Sequence, residues 1–187
     1  MITLVLTFAV IALYTWVPDS SDLYFSLFSI ESGNLSGLIS GHFTHSDLNH
    51  LIWNAGALAI LAIFIERHSK TLLFASLLTG LISVNALLLS DWSTLEVYCG
   101  LSGVLNSLLV VALWLMWRES RSPWAWLILV GAVAKVAVEI IFANAIFSQT
   151  SWPPFPQAHA AGMVGGICLV VLVIAFESFN KNPKRVW

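Results

Sequence analysis

A serine between glycines, two histidines and an asparagine carry the chemistry this chain could do. Gly100-Leu101-Ser102-Gly103 opens an apolar stretch that runs to Trp117. Just upstream, Asp91-Trp92-Ser93-Thr94-Leu95-Glu96 reads as an aqueous loop. Ser102 is therefore expected at a helix N-terminus near the water boundary, with a backbone N–H that has no partner inside the helix. His50 and Asn54 lie four residues apart and share one face of an earlier helix, near its outer end. His159, Gly162 and Gly166 share one face of a later helix. The two glycines allow close approach of another backbone, which sets His159 beside a neighbouring helix. If that neighbour carries Ser102, a neutral imidazole can take the hydroxyl proton and activate a nucleophile. The Ser102 N–H, His50 and Asn54 could then donate to the oxyanion of a tetrahedral intermediate. No membrane carboxylate is placed to orient His159, so the arrangement reads as a dyad. Each piece also has a plainer reading. Gly-x-Ser-Gly suits close helix packing, and His50 with Asn54 suits interhelical hydrogen bonding.

The composition requires a membrane. Of 187 residues, 58% are hydrophobic and only 10% charged, and the mean hydropathy is +0.86. Those values exclude an ordinary soluble domain and imply a polytopic protein in a lipid bilayer. The net charge of −2 offers no basic surface for nucleic acid. Cys99 near a helix mouth and Cys168 deep in a helix are not placed to form a disulfide.

Six apolar segments position these residues: 2–17, 48–65, 71–89, 100–117, 124–147 and 159–176. They predict one all-α membrane domain over 1–187, a six-transmembrane-helix bundle. The first segment lacks a basic leader region and a small-x-small cleavage site, so it reads as an uncleaved helix. Arg67, Lys70, Arg118, Arg121, Lys181, Lys184 and Arg185 all fall on one side of the bundle. The opposite loops carry Asp19, Asp22, Glu31, Asp91 and Glu96 and no basic residue. Both termini are thus expected in the cytoplasm, with the serine facing outward. The first outer loop, 18–47, holds apolar pieces suited to lying in the interface. In the fifth loop, Trp152-Pro153-Pro154-Phe155-Pro156 forbids helix. It reads equally as a lid over the outer mouth or as a rigid connector.

Three motifs, in order on the second, fourth and sixth segments, resemble those of the rhomboid family of intramembrane serine proteases. They are His45, His50 and Asn54 in His-x4-His-x3-Asn, Gly100 to Gly103 in Gly-x-Ser-Gly, and His159, Gly162 and Gly166 in His-xx-Gly-xxx-Gly. The resemblance implies Ser102 as nucleophile and His159 as base. It implies His50 and Asn54 as oxyanion donors, with Gly100 and Leu101 beside them at the substrate. His45 is expected to brace the first loop, and Gly103, Asn106, Gly162 and Gly166 to support the site. No cofactor is implied. Many rhomboids stack an aromatic on the catalytic histidine from the position of Asn106, so a hydrogen bond from Asn106 is expected to hold His159 instead. Many also carry Trp-Arg in the first loop where this chain has Ser36-Gly37, which suggests a smaller, less charged rim. These departures and the bare core look more like the rhombosortase branch, taken to process C-terminal Gly-Gly tails followed by an apolar helix and a basic end. The implied partner is a transmembrane protein with small residues at the outer end of its helix. The implied location is a bacterial inner membrane, with the site facing the periplasm.

Other readings fit less well. His42, His45, His50 and His159 could gather on the outer side, but no His-Glu-xx-His is present and no metal is expected. No span holds the aspartate pair of an aspartyl protease. Lys135 and Glu139, four apart near mid-depth of the fifth segment, admit an ion-coupled transporter. They also can neutralise each other within one helix, and an internal ion pair facing the bundle is the expectation. An inactive rhomboid-like adapter that only binds membrane helices would typically lack the serine or the histidine.

Overall fold

The computed structural model describes residues 1–17, 19–142 and 154–180. Trp152 and Pro153 of the fifth loop, 143–147 of the fifth apolar segment, and Lys181, Lys184 and Arg185 lie outside the described residues. The helices are α1 (Ile2–Trp16), α2 (Leu27–Glu31), α3 (Gly37–Phe43), α4 (Leu48–His68), α5 (Lys70–Leu88), α6 (Ser102–Ser120), α7 (Pro123–Phe142) and α8 (Pro156–Asn180). Two short strands, β1 (Phe25–Ser26) and β2 (Val97–Tyr98), form one antiparallel pair with Phe25 opposite Tyr98. Among the described residues, α4, α5, α7 and α8 are long and apolar enough to cross a membrane, and α1 is a shorter apolar helix. The chain is an all-α integral membrane protein.

Local chemistry sets the helix ends. The Asp47 carboxylate accepts from His50 N at 2.8 Å and starts α4. Ser69 Oγ accepts from Leu72 N at 3.1 Å and starts α5. α1 has no cap of its own. Glu66, near the end of α4, accepts from Ile2 N (2.8 Å), Thr3 N (2.9 Å) and Thr3 Oγ1 (2.6 Å). It thereby satisfies first-turn N–H groups that would otherwise be orphaned.

The centre of the bundle is α6, which packs against α4, α5, α7 and α8. Val104, Leu108, Val111 and Leu115 of α6 are buried in a core shared with Leu58, Ala62 and Ile65 of α4 and Leu73 and Leu77 of α5. An enclosed helix shows little side chain to lipid, so Ser102, Asn106 and Ser107 are tolerated there without facing hydrocarbon.

Glycines set the spacing of α6, α8 and α5. A Cβ on Gly162 would overlap the Gly103 carbonyl, and one on Gly166 would sit 2.7 Å from Ser107 O. A Cβ on Gly165 would likewise lie 2.6 Å from the Thr79 carbonyl oxygen of α5. The paired glycines thus bring α8 against the serine helix. Gly162→Val is expected to cost roughly 1–3 kcal/mol or more through overpacking, read as a lower Tm in detergent. Gly131→Ala, with nothing within 4 Å of its Cβ, should leave Tm unchanged.

The first outer loop is tied down rather than loosely laid on the surface. His42 Nε2 meets Asn85 Oδ1 of α5 at 3.0 Å, and Asn85 Nδ2 donates to Leu38 O at 2.8 Å. Gly100 N donates to Gly41 O at 2.9 Å, joining this loop to the segment before α6. Gly37 is buried, and a Cβ there would lie 2.7 Å from Tyr24 O. Position 37 therefore serves loop packing, while Ser36 beside it is exposed.

Candidate active site

Ser102 is the first residue of α6, and His159 lies in the first turn of α8. The close α6–α8 packing sets His159 Nε2 3.0 Å from Ser102 Oγ. Both border a cavity of about 690 Å³, together with His50, Asn54, Asn106 and Glu139. At a hydrogen-bonding 3.0 Å, the imidazole can remove the hydroxyl proton without rearrangement.

The opposite wall comes from α4. Gly100 has φ +114°, a conformation that L side chains rarely adopt. A Cβ there would also strike the His50 ring, 2.5 Å from Nε2, and come within 3.7 Å of Asn54 Nδ2. The missing side chain is what lets His50 and Asn54 approach the backbone just before Ser102. Asn54 is 4% exposed, and its Nδ2 is buried without a hydrogen-bond acceptor. His50 Nδ1 lies 3.2 Å from Ser46 Oγ. The Ser46 hydroxyl donates to Asp47 Oδ2 at 3.1 Å, and the His50 Nε2 edge faces Gly100. Leu101 and Gly103 are buried behind the serine, Gly103 against the Ala158 carbonyl and Tyr98.

Supporting groups differ from the expectations in two places. Asn106 does not hold His159. Its Nδ2 donates to Ser102 O at 2.8 Å, one turn back along α6. The expectation that no carboxylate stands by His159 is also wrong. Glu139 of α7 lies with Oε2 3.4 Å from His159 Nδ1, and Lys135 Nζ sits 2.7 Å from both Glu139 oxygens. Glu139 is 2% exposed and Lys135 31%, and both border the cavity. Periodicity placed Lys135 and Glu139 together. Their distance to α8 depends on how α7 is rotated, which one sequence does not reveal.

The remaining titratable groups frame the site. His45 is buried and packs edge-on to His50, with ring centroids 5.0 Å apart. Burial, then the nearby His50, pushes its imidazole down to about 3. His45 is therefore a neutral packing group near pH 7. Burial pushes the Cys99 thiol up to about 11, which suits packing rather than nucleophilic attack. Both cysteines are free. Tyr98, which no sequence signal singled out, donates its hydroxyl to Gly100 O at 3.0 Å and helps fix the turn before the serine. Pro154 and Phe155 border the cavity from the fifth loop.

These features define a helical integral membrane protein with a serine–histidine pair in a cavity within its bundle. A family model described as the rhomboid domain matches residues 32–176, most of the chain. The chain belongs to the rhomboid family, whose members are mostly serine intramembrane proteases. The match begins after α1, so α1 lies outside it. Comparison with curated proteins gives no match.

Proposed function

We propose that this chain is an intramembrane serine endopeptidase in which Ser102 attacks and His159 acts as general base. The observation that carries this reading is the 3.0 Å contact between Ser102 Oγ and His159 Nε2 at the wall of a cavity. His159 takes the Ser102 proton as Oγ bonds to the scissile carbonyl carbon. The resulting oxyanion receives hydrogen bonds from the Ser102 N–H, His50 and Asn54. Imidazolium then protonates the departing amine, and water, deprotonated by the same imidazole, releases the acyl chain. Labelling by a fluorophosphonate probe in detergent tests the nucleophile directly.

The chain crosses the membrane six times, with both termini in the cytoplasm and the serine near the periplasmic face of a bacterial inner membrane. Support comes from the one-sided basic residues and from the shared end of α1 and α4, where Glu66 caps Ile2 and Thr3. From Ser102 to Trp117, α6 covers roughly 24 Å of a ~30 Å core, which supports a position for Ser102 a short way below the outer surface.

The substrate is a single membrane helix with Gly, Ala or Ser at its outer end. A helical carbonyl is shielded by its hydrogen bond, and unwinding is least costly where such residues lie. Rhombosortase-type processing of a Gly-Gly tail fits this chemistry. In cells, a reporter tail of small residues, apolar helix and basic end should be released only with Ser102 intact. Changing the small residues to Leu should cut release severalfold, measured as shed outer domain. Equal release from the Leu tail would remove the specificity claim and leave the protease claim standing.

A further inference from the structure

We infer that Glu139 positions His159 for the reaction and that Lys135 holds Glu139 in place, so that serine, histidine and glutamate work as a triad. This rests on Ser102 being the nucleophile. Nε2 of His159 faces the Ser102 hydroxyl at 3.0 Å. To accept that proton, the neutral ring must carry its own proton on Nδ1. Nδ1 is buried and makes no hydrogen bond, and the carboxylate facing it is Glu139, at 3.4 Å. An ordinary N–H···O bond would be about 0.5 Å shorter. The attraction is weakest in the resting state and rises when His159 becomes imidazolium. A carboxylate so placed acts mainly where charge develops.

The surroundings argue that the carboxylate is placed for this task. Val138, Ile140, Ile141 and Phe142 of α7 are all exposed, while Glu139 is 2% exposed. Lys135 precedes Glu139 by four residues, the less favourable order for stabilising a helix. A buried ion pair is commonly no more stable than the apolar residues that could replace it, so helix or bundle stability gives it no account. Lys135 neutralises a charge that would otherwise be buried alone, and its contact with both oxygens fixes the carboxylate plane. Glu139 stays ionised throughout; the proton shuttles only between Ser102, His159 and the leaving group.

The test is the rate of fluorophosphonate labelling of the full chain in detergent as a function of probe concentration. Glu139→Gln should lower the limiting rate roughly 10–100-fold, less than the ~10⁴-fold loss of a fully hydrogen-bonded triad aspartate, because the resting contact is longer. The half-saturating probe concentration should stay within about twofold, since binding is untouched. Glu139→Asp should recover part of the rate. In a His159→Ala background, Glu139→Gln should change the residual rate little, because Glu139 acts through His159. If Glu139→Gln fails to fold, Lys135→Met with Glu139→Gln leaves no unpaired charge and should fold with the same rate loss. A wild-type rate in either variant, or an equal loss with and without His159, overturns the inference. Absence of Ser102-dependent labelling in the wild type is a different result. It overturns the protease reading itself, and this inference with it.

Discussion

Ser102→Ala and His159→Ala are each expected to abolish cleavage of a membrane reporter, and the double variant is expected to be no worse than either. The expected loss is roughly 10⁴-fold or more for each. The serine without its base is a weak nucleophile, and the base without the serine has no proton to take. Their 3.0 Å contact means that one chemical unit is lost either way. Strictly additive losses would indicate two independent roles. Full activity in Ser102→Ala would end the protease reading. Neither substitution should unfold the protein, since Ser102 and His159 line the cavity and the glycines carry the α6–α8 packing. Unchanged Tm in both variants checks this.

His50→Ala and Asn54→Ala should each slow turnover roughly 10–1000-fold while substrate still binds. Both groups face the backbone just before Ser102, across the bare Cα of Gly100. Asn54 Nδ2 is buried with no hydrogen-bond acceptor, and such an orphan normally costs stability. An oxyanion would satisfy it only during the reaction, so its contribution appears in kcat rather than in KM. If both variants lose thermal stability and keep their rate, these residues are structural glue.

Much of this was readable from residue spacing. Positions four apart share a helix face in any α-helix, so His50 with Asn54, and Gly162 with Gly166, could be grouped without a structure. Apolar runs located the long helices because hydrocarbon imposes the same length on every span. Gly162 and Gly166 announced a close helix contact, because only a missing Cβ permits one. Sequence could not say that the partner was α6, since the glycine face of α8 carries no label for what it meets.

The first loop and Glu139 were decided in three dimensions. Gly37 is buried where a Cβ would meet Tyr24 and Phe25, beside the β1–β2 pair, a packing that spacing alone does not reveal. Asn106 was expected to hold His159, but its Nδ2 donates instead to the Ser102 carbonyl one turn back. Glu66 reads as one more charge at a helix end, although it caps a helix more than 60 residues away in sequence. Lys135 and Glu139 could be paired from sequence because they share a face of one helix. Whether that face met lipid, another span or His159 depended on the rotation of α7 about its own axis. Periodicity fixes which residues lie together on a helix but leaves that angle free. Packing of α7 against α6 and α8 sets it, and so places a carboxylate beside His159.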